Sequence, residues 1–174
     1  MKCRIFRSSN YRMFLDNLIE IRMVKMADKI SFEDVNTSLV DVFNNAMWIE
    51  EASLRDSEFS DITLKDMHII AAIGGQGEVA ASKLAHIVHV TPSTMTSSID
   101  KLFRKGYVER QRDDVDRRLV LIVLTAKGQA VCRSHDAFHR GLTHTMFSDL
   151  DSEESNTVQN AIFRLQDYLK NLVD

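Results

Sequence analysis

The sequence predicts a mainly α-helical fold (α+β, because one small two-stranded hairpin is expected), and three observations support it. Apolar residues recur at helical spacing through most of the chain after residue 31. Residues 91–104 combine signals for a helix start with one apolar face and one polar face. Two short runs rich in branched residues, 107–112 and 119–124, flank a charged segment, which is typical of a β-hairpin.

The first predicted helix spans residues 31–55. It is indicated by an apolar stripe at 3.6-residue spacing, formed by Phe32, Val35, Leu39, Val42, Phe43, Ala46 and Met47. Trp48, Ile49 and Leu54 add apolar surface beside this stripe. A helix this apolar needs more than one neighbour, so it is expected either at a dimer interface or buried within one subunit.

Two shorter helices are predicted next, over residues 61–73 and 80–88. Thr63 is the expected N-cap of the first of these, and Asp66 completes a capping box three residues later. The glycine-rich run 74–77 is expected to end that helix. The second of the two leads directly into the helix with the polar face.

The helix over residues 91–104 has the layout of a DNA recognition helix. Thr91 is its expected N-cap, and Pro92 suits the first helical position, where the missing N–H costs nothing. Gly106 is expected just past its end. Its polar face has small groups first and cations later, as a helix entering a major groove requires, and consists of Ser93, Thr94, Ser97, Lys101 and Arg104. The alternative is an ordinary amphipathic helix with a solvated polar face.

The hairpin favours the DNA-binding interpretation. Its tip, residues 113–118, is made mostly of aspartates and arginines. Either these charges pair with one another, or Asp116 braces the tip while Arg117 or Arg118 enters a minor groove, where the negative potential attracts guanidinium. We favour the second interpretation, which predicts a winged helix-turn-helix. The expected DNA contacts are Thr91, Ser93, Thr94, Ser97, Lys101, Arg110, Arg112, Asp116, Arg117 and Arg118.

Two further helices are predicted after the hairpin. Residues 125–147 form the first, with Val131, His135, Phe138 and Leu142 along one side. Residues 150–154 interrupt this pattern and provide a new helix start. The last helix carries an amphipathic stripe to the end of the chain, formed by Val158, Ala161, Ile162, Leu165, Tyr168, Leu169 and Leu172.

The hairpin also contains a sequence signature. Asp116, Arg118 and, after five intervening residues, Leu124 and Thr125 match the pattern D-x-R-x5-L-T in the wing of MarR-type transcriptional regulators. The segment leading into the wing matches too, at Leu102, Gly106, Val108 and Arg110. From about residue 32 to its end, the chain therefore resembles the MarR family. Ser97 departs from the larger basic or polar residue of many members, so the operator sequence cannot be carried over.

The resemblance implies one MarR-type domain over residues 31–174, assembled as a homodimer. In that family the first helix and the last two helices of both subunits intertwine, which assigns residues 31–58 and 126–174 to dimerisation. Residues 61–125 would form the winged helix-turn-helix. Two-fold symmetry implies a pseudo-palindromic, double-stranded DNA operator.

Charge is distributed unevenly along the chain. Residues 91–125 contain seven Lys or Arg against five acids, whereas residues 31–60 contain one Arg against seven acids. Positive charge is thus concentrated in the predicted DNA-binding region, although the net charge is -3. The two cysteines fit a reducing cytoplasm, and no apolar run approaches the roughly 18 residues of a transmembrane helix. We expect a cytoplasmic protein without a membrane partner.

Residues 1–30 form an N-terminal extension of different composition. They contain seven Lys or Arg against three acids and lack the apolar core and cleavage site of a signal peptide. We expect the natural chain to begin at Met23 or Met26, with the preceding residues an upstream extension. The alternative is a basic arm that contacts DNA.

A narrower resemblance concerns the signal that such a regulator detects. Residues 42–74 and 138–142 resemble the FabT-type members of the family, which repress fatty-acid biosynthesis genes in Gram-positive bacteria. This resemblance implies long-chain acyl-acyl carrier protein as a co-repressor. An acyl chain needs an apolar slot lined by adaptable side chains, and the candidates are Met47, Trp48, Met67, Ile70 and Phe138. The alternative is that these residues are plain core. The acidic carrier would meet surface cations such as Lys83, Arg133 or Arg140.

Other functions have less support in the sequence. His135 and His139 stand four residues apart on a predicted helix, a spacing that can bind one metal ion, and His68, His86, His89 and His144 could contribute. Sensing of zinc or of a small aromatic ligand is therefore the alternative function, although no metal site and no cofactor are assigned. Oxidation of Cys132 would make a redox sensor. No phosphate-binding glycine loop, nucleophile elbow or paired-carboxylate signature occurs, so we expect no catalytic residues and no enzyme.

Overall fold

The computed structural model describes residues 31–112, 116 and 119–173. The elements in this part of the chain are α1 (Phe32–Arg55), α2 (Leu64–Gln76), β1 (Glu78–Ala80), α3 (Ala81–Ile87), α4 (Pro92–Arg104), β2 (Val108–Arg112), β3 (Val120–Leu124), α5 (Ala126–Phe147) and α6 (Ser152–Val173). The chain divides into two compact units between Asp136 and Ala137, within α5. The mainly α fold with a small sheet is as predicted. Among the described residues, no helix has the length and apolar character needed to cross a membrane.

Side chains cap α2 and α4 at the residues that the sequence indicates. The hydroxyl of Thr63 accepts a hydrogen bond from the N–H of Asp66 at 3.3 Å, and the Asp66 carboxylate accepts one from the N–H of Thr63 at 2.9 Å. This capping box starts α2 and confirms the predicted cap. A second capping box, formed by Ser31 and Asp34, starts α1. Thr91 caps α4 ahead of a proline at the first helical position, also as predicted.

Helix α2 ends later than predicted. It continues through Gly74 and Gly75 to Gln76 and stops at Gly77, whose φ of 76° lies in the left-handed region that glycine tolerates. A glycine inside a helix costs only about 1 kcal/mol, so the two internal glycines do not stop it. Gly74 also has a packing role, because a Cβ atom there would collide with the Sγ atom of Cys132 on α5.

The sheet has three strands rather than the predicted two. It is antiparallel with strand order β1-β3-β2, and Val79 of β1 pairs with Ile122 of β3. On the other side of β3, Arg110 of β2 also pairs with Ile122. Strand β1 was not predicted because three residues are too few to show an alternating pattern, and its partner lies far along the chain.

The core of the first unit joins α2, α3, α4 and the sheet. Its most deeply buried side chains include Ile70, Ile73, Leu84, Met95, Ile99, Leu102, Tyr107, Ile122 and Val131. The turn between α3 and α4 places His89 at φ 51°, and Val90 donates its N–H to the carbonyl of Ala85 at 3.0 Å. This turn packs α4 across α3, which gives the predicted helix-turn-helix.

The apolar stripe of α1 is not buried within the subunit. Phe32 is 86% exposed, and Val42 and Met47 are each more than half exposed. Only the C-terminal end of α1 is buried, at Ile49, Glu50, Ala52, Ser53 and Leu54. In the second unit, α6 likewise exposes large apolar side chains, namely Ile162, Phe163, Tyr168, Leu169 and Leu172. Exposed apolar surface of this extent marks an interaction surface on each unit.

Candidate nucleic-acid interface

Helix α4 presents one apolar face to the core and one hydroxyl-rich face to solvent. Met95, Ile99 and Leu102 are at most 1% exposed and anchor the helix. Around the opposite face, all four small residues predicted to contact DNA are exposed, namely Thr91, Ser93, Thr94 and Ser97. The structure therefore brings this part of the predicted site together on the first turns of one helix.

The hydroxyl groups of this face form hydrogen bonds with one another and with backbone carbonyls of the same helix. Thr91 Oγ1 lies 2.8 Å from Thr94 Oγ1, and Ser97 donates its hydroxyl to the carbonyl of Ser93 at 3.1 Å. Thr96, which sequence reasoning missed, is also exposed and donates to the carbonyl of Pro92 at 2.9 Å. A hydroxyl that has used its donor still accepts hydrogen bonds, and it can rotate to donate elsewhere. The face can thus adapt to several partners.

Lys101 was predicted to contact DNA, but its ammonium group forms an ion pair with the carboxylate of Asp66. Burial raises the pKa of Asp66, yet hydrogen bonds from Lys101 and Thr63 outweigh burial and hold that pKa below its usual value. The pair ties the last turn of α4 to the first turn of α2. A contact between Lys101 and DNA stays a prediction that would compete with this ion pair.

Arg110 is likewise engaged within the subunit. Its guanidinium group pairs with the carboxylate of Asp100, and its Cζ atom lies 5.5 Å from the centroid of the Phe103 ring. This contact joins the wing strand β2 to the recognition helix α4. Of the other predicted wing contacts, Arg112 and Asp116 are exposed, whereas Arg117 and Arg118 lie outside the described residues.

A polar cluster behind the helix, which sequence reasoning missed, fixes the base of the wing. Tyr107 is fully buried and donates its hydroxyl to the carboxylate of Asp61, which lies before α2. Lys105 donates to the carbonyl of Asp61, and the Nζ atom of Lys127 lies 3.9 Å from the Tyr107 ring centroid. The hydrogen bond from Tyr107 lowers the pKa of Asp61. Burial raises the pKa of Tyr107, so its hydroxyl stays protonated as the donor.

The predicted acyl-binding residues are not gathered in one described cavity. Met47 and Trp48 are exposed on α1, whereas Met67 and Ile70 are buried in the core of the first unit. Phe138, in the second unit, is 2% exposed. A cavity of about 440 Å³ is instead lined by Gly74, Gly77, Glu109, Gln111, Val123, Leu124, Gln129, Cys132 and Arg133. The acyl-binding assignment stays a prediction.

Two pairs of histidines lie close together within the first unit. His68 and His135 approach each other in the first unit, with their ring centroids 5.4 Å apart, and both lie beside Glu50. His86 and His89 lie together near the helix-turn-helix turn. His139, the predicted partner of His135, belongs to the second unit and has its ring against Phe138.

Known proteins share this arrangement. A family model described as MarR family matches residues 62–120. The crystal structure of Streptococcus pneumoniae FabT in complex with DNA is similar with a TM-score of 0.73 and 37% sequence identity, covering 82% of this chain and 99% of that chain.

More distant relatives agree. The HTH-type transcriptional repressor MdtR of Bacillus subtilis is 26% identical over 131 residues, which is 75% of this chain and 82% of MdtR. The reduced form of MarR from E. coli, at 21% identity and a TM-score of 0.54, covers 80% of this chain and 98% of that chain and shares the fold. MdtR is a transcriptional repressor, and this relative together with the match to the MarR family confirms the prediction that this chain is not an enzyme. The chain belongs to the MarR family of winged helix-turn-helix transcriptional regulators.

Proposed function

We propose that this chain is a cytoplasmic, homodimeric repressor of fatty-acid biosynthesis genes, with long-chain acyl-acyl carrier protein as its co-repressor. The observation that carries the proposal is the likeness to DNA-bound FabT, at 37% identity over 99% of that chain. The resemblance of residues 42–74 to FabT-type repressors supports the same assignment. That segment covers the C-terminal half of α1 and most of α2, where the family places ligands.

The first step of the proposal is operator binding by α4 and the wing. The exposed hydroxyls of Thr91, Ser93 and Ser97 lie on the first turns of α4, the part of a recognition helix that meets base edges in the major groove. Arg112 and Arg118 would contact phosphates and the neighbouring minor groove. The ion pairs of Lys101 and Arg110 would hold α4 and β2 in the orientation that docking requires.

The second step is dimerisation. The apolar stripe of α1 is exposed along most of its length, and α6 in the second unit exposes its own apolar residues. Burying such surface against a second copy is favourable by roughly 25 cal/mol per Å². A two-fold dimer would present two α4 helices about one turn of DNA apart, which matches a pseudo-palindromic operator.

The third step is the response to the acyl group. Met47 and Trp48 expose flexible and aromatic surface on α1, within the segment that resembles FabT-type repressors. An acyl chain would shift the protein toward its DNA-binding conformation only if it binds that conformation more tightly than the alternative one. The size of the shift equals the difference between the two binding free energies. The acidic carrier protein would be attracted to exposed cations, for which Arg133 and Arg140 on α5 are candidates.

A gel shift on promoters of fatty-acid synthesis genes tests the proposal. We expect tighter binding with long-chain acyl-acyl carrier protein than with the unacylated carrier. Equal operator binding with the acylated and the unacylated carrier would refute long-chain acyl-acyl carrier protein as the co-repressor. The signal that the regulator detects would then have to be another one. Failure to bind these promoters under any condition would refute the assignment to fatty-acid genes.

A matched pair of arginine variants tests the wing. Arg118→Ala should weaken operator binding by about 1–3 kcal/mol per half-site, because a minor-groove arginine and its phosphate contacts are lost. Arg55→Ala removes an exposed arginine from the end of α1 and should leave binding unchanged. Equal affinities of the two variants would show that the wing does not contact DNA.

A further inference from the structure

Two histidines lie side by side at the turn between α3 and α4. His86 belongs to the last turn of α3, His89 lies in the connecting turn, and their ring centroids are 6.4 Å apart. Both side chains are exposed, as is that of Lys83, which precedes His86 by three residues and lies on the same side of α3. We refer to Lys83, His86 and His89 as the basic corner. It combines one permanent cation with two side chains that gain a positive charge at mildly acidic pH.

The backbone of the turn determines where the His89 side chain leaves the chain. Its φ of 51° lies in the left-handed region, which is unfavourable for a residue that carries a side chain. His89 donates its N–H to the carbonyl of His86 at 3.2 Å, and the next residue, Val90, donates to the carbonyl of Ala85 at 3.0 Å. These bonds hold the turn in place. A strained residue beside a binding surface suggests that the surface uses its side chain.

The basic corner lies next to the element that enters DNA. Thr91, two residues after His89, caps α4, and the first turns of a recognition helix meet base edges in the major groove. The preceding helix of a helix-turn-helix crosses the DNA backbone, so phosphates that flank the groove pass close to α3 and the turn. The first turn of α4 contains no acidic residue that would repel them.

The elements packed against α3 leave few negative charges near the basic corner. These elements are α2, α4, β1 and β3. The carboxylate on α2 forms an ion pair with Lys101, and the carboxylate on α4 forms one with Arg110. Strand β3 has no charged residue, and β1 contributes the exposed Glu78. The remaining titratable side chains on these elements are positive or can become positive, namely Lys65, His68 and Arg104.

No carboxylate in the described part of the chain competes with DNA for the two histidines. The histidine ion pairs found there are those of His68 and His135 with Glu50, away from the basic corner. A phosphate of bound DNA would therefore be the close anion for His86 and His89. A nearby anion favours the charged form of an imidazole, and histidines in general titrate near about pH 6.5.

We propose that Lys83, His86 and His89 contact phosphates of the DNA backbone, and that the two histidines take up protons from solvent when they do so. By linkage, DNA binding then tightens as the pH falls from about 8 to about 6. The gain is lost again as the pH rises through the range in which the bound histidines release their protons. The proposal rests on DNA binding by α4, but it does not depend on which genes are regulated or on the co-repressor.

Binding of a labelled random-sequence duplex at low salt, followed by fluorescence anisotropy between pH 6 and pH 8, tests the proposal. Phosphate contacts do not depend on base sequence, so this probe is independent of the promoter experiment above. We expect the unaltered chain to bind at least about 5-fold more tightly at pH 6 than at pH 8. The double variant His86→Gln/His89→Asn should lose most of this difference, and asparagine tolerates the left-handed conformation of residue 89.

Two matched variants separate proton uptake from charge alone. Lys83→Gln should weaken binding at every pH and lower the salt dependence by about one phosphate contact, while the pH dependence stays. His144→Gln removes an exposed histidine outside the basic corner and should behave like the unaltered chain. The same pH dependence in the double variant and in the unaltered chain would overturn the proposal, even if the double variant bound more weakly throughout. Binding of the unaltered chain that does not change with pH would overturn it as well.

Discussion

Replacing Asp66 should destabilise the DNA-binding unit, and the size of the loss tests how this residue joins two helices. Its buried carboxylate accepts hydrogen bonds from the N–H of Thr63 at 2.9 Å and from the Thr63 hydroxyl at 2.7 Å. The same carboxylate forms an ion pair with the ammonium group of Lys101 on the recognition helix. One carboxylate therefore both starts α2 and holds α4 against it.

The magnitude follows from these contacts. Loss of a helix cap costs about 1 kcal/mol, and a hydrogen bond to a charged partner contributes about 1.5–3 kcal/mol. The side chain of Lys101 is 37% exposed, so water can solvate its ammonium group after the change, and we take the lower part of that range. We expect Asp66→Ala to lower the free energy of unfolding by about 2.5–3 kcal/mol, the sum of the two contributions.

Two further variants separate the contributions. Lys101→Met removes the ion pair and keeps the cap, and the double variant completes a thermodynamic cycle, whose coupling energy should be about 1–2 kcal/mol. Asp34→Ala is the matched control, because it removes the same kind of capping box from the exposed start of α1, where no lysine among the described residues forms an ion pair with its carboxylate. That change should cost about 0.5 kcal/mol.

Urea denaturation followed by circular dichroism measures these differences, with all variants at one protein concentration because the proposed dimerisation would couple to stability. The reasoning would be refuted if Asp66→Ala lost no more stability than Asp34→Ala. A coupling energy of zero between Asp66 and Lys101 would show that the ion pair between the two helices contributes nothing.

Three other predictions follow. Gly128→Ala should lower the free energy of unfolding by more than about 2 kcal/mol, because the new Cβ would collide with the carbonyl oxygen of Tyr107. Gly75→Ala is the control, because open space surrounds that position, and it should leave the stability unchanged or raise it by about 0.5–1 kcal/mol. Equal thermal unfolding midpoints for the two variants would contradict the packing argument. The pKa of the Asp66 carboxyl is lower in the folded chain than in the unfolded chain. The stability that this carboxyl contributes is therefore present above its unfolded pKa of about 3.9, and it is lost as the pH falls from there through the folded pKa. The acid limb of the stability profile should therefore be shallower in Asp66→Ala, and parallel limbs would argue against this. Burial and Asp136 raise the pKa of the Cys132 thiol, so iodoacetamide should alkylate it slowly at pH 7 and faster at higher pH; rapid alkylation at pH 7 would restore the redox-sensor hypothesis.

Local signals in the sequence were enough to predict the helix starts and the recognition helix. Thr63, Asp66 and Thr91 cap their helices within three residues of chain, and such contacts depend on spacing alone. The apolar positions Met95 and Ile99 were likewise readable from helical periodicity. The hydroxyl face of α4 follows from the same periodicity.

Contacts between distant residues could not be predicted in this way. Lys101 contacts Asp66 across 35 residues, and Tyr107 contacts Asp61 across 46 residues. At such separations, the spacing of residues along the chain predicts neither contact. For this reason Lys101 resembled a simple phosphate contact. Glu50 was counted only as one of the seven acids in residues 31–60, although its position one turn before Leu54 on the buried end was a signal that could have placed it inward.

The hydroxyl-rich face of α4 has a consequence for the operators that this regulator could recognise. A hydroxyl donates, accepts and rotates, so it accommodates more than one base, unlike the two-pronged pairing of arginine with guanine or asparagine with adenine. Each base pair read by Ser93 or Ser97 should therefore carry little information, and groove shape should supply much of the remaining discrimination. We expect a loose operator consensus, whose individual positions can drift during evolution while regulation is retained.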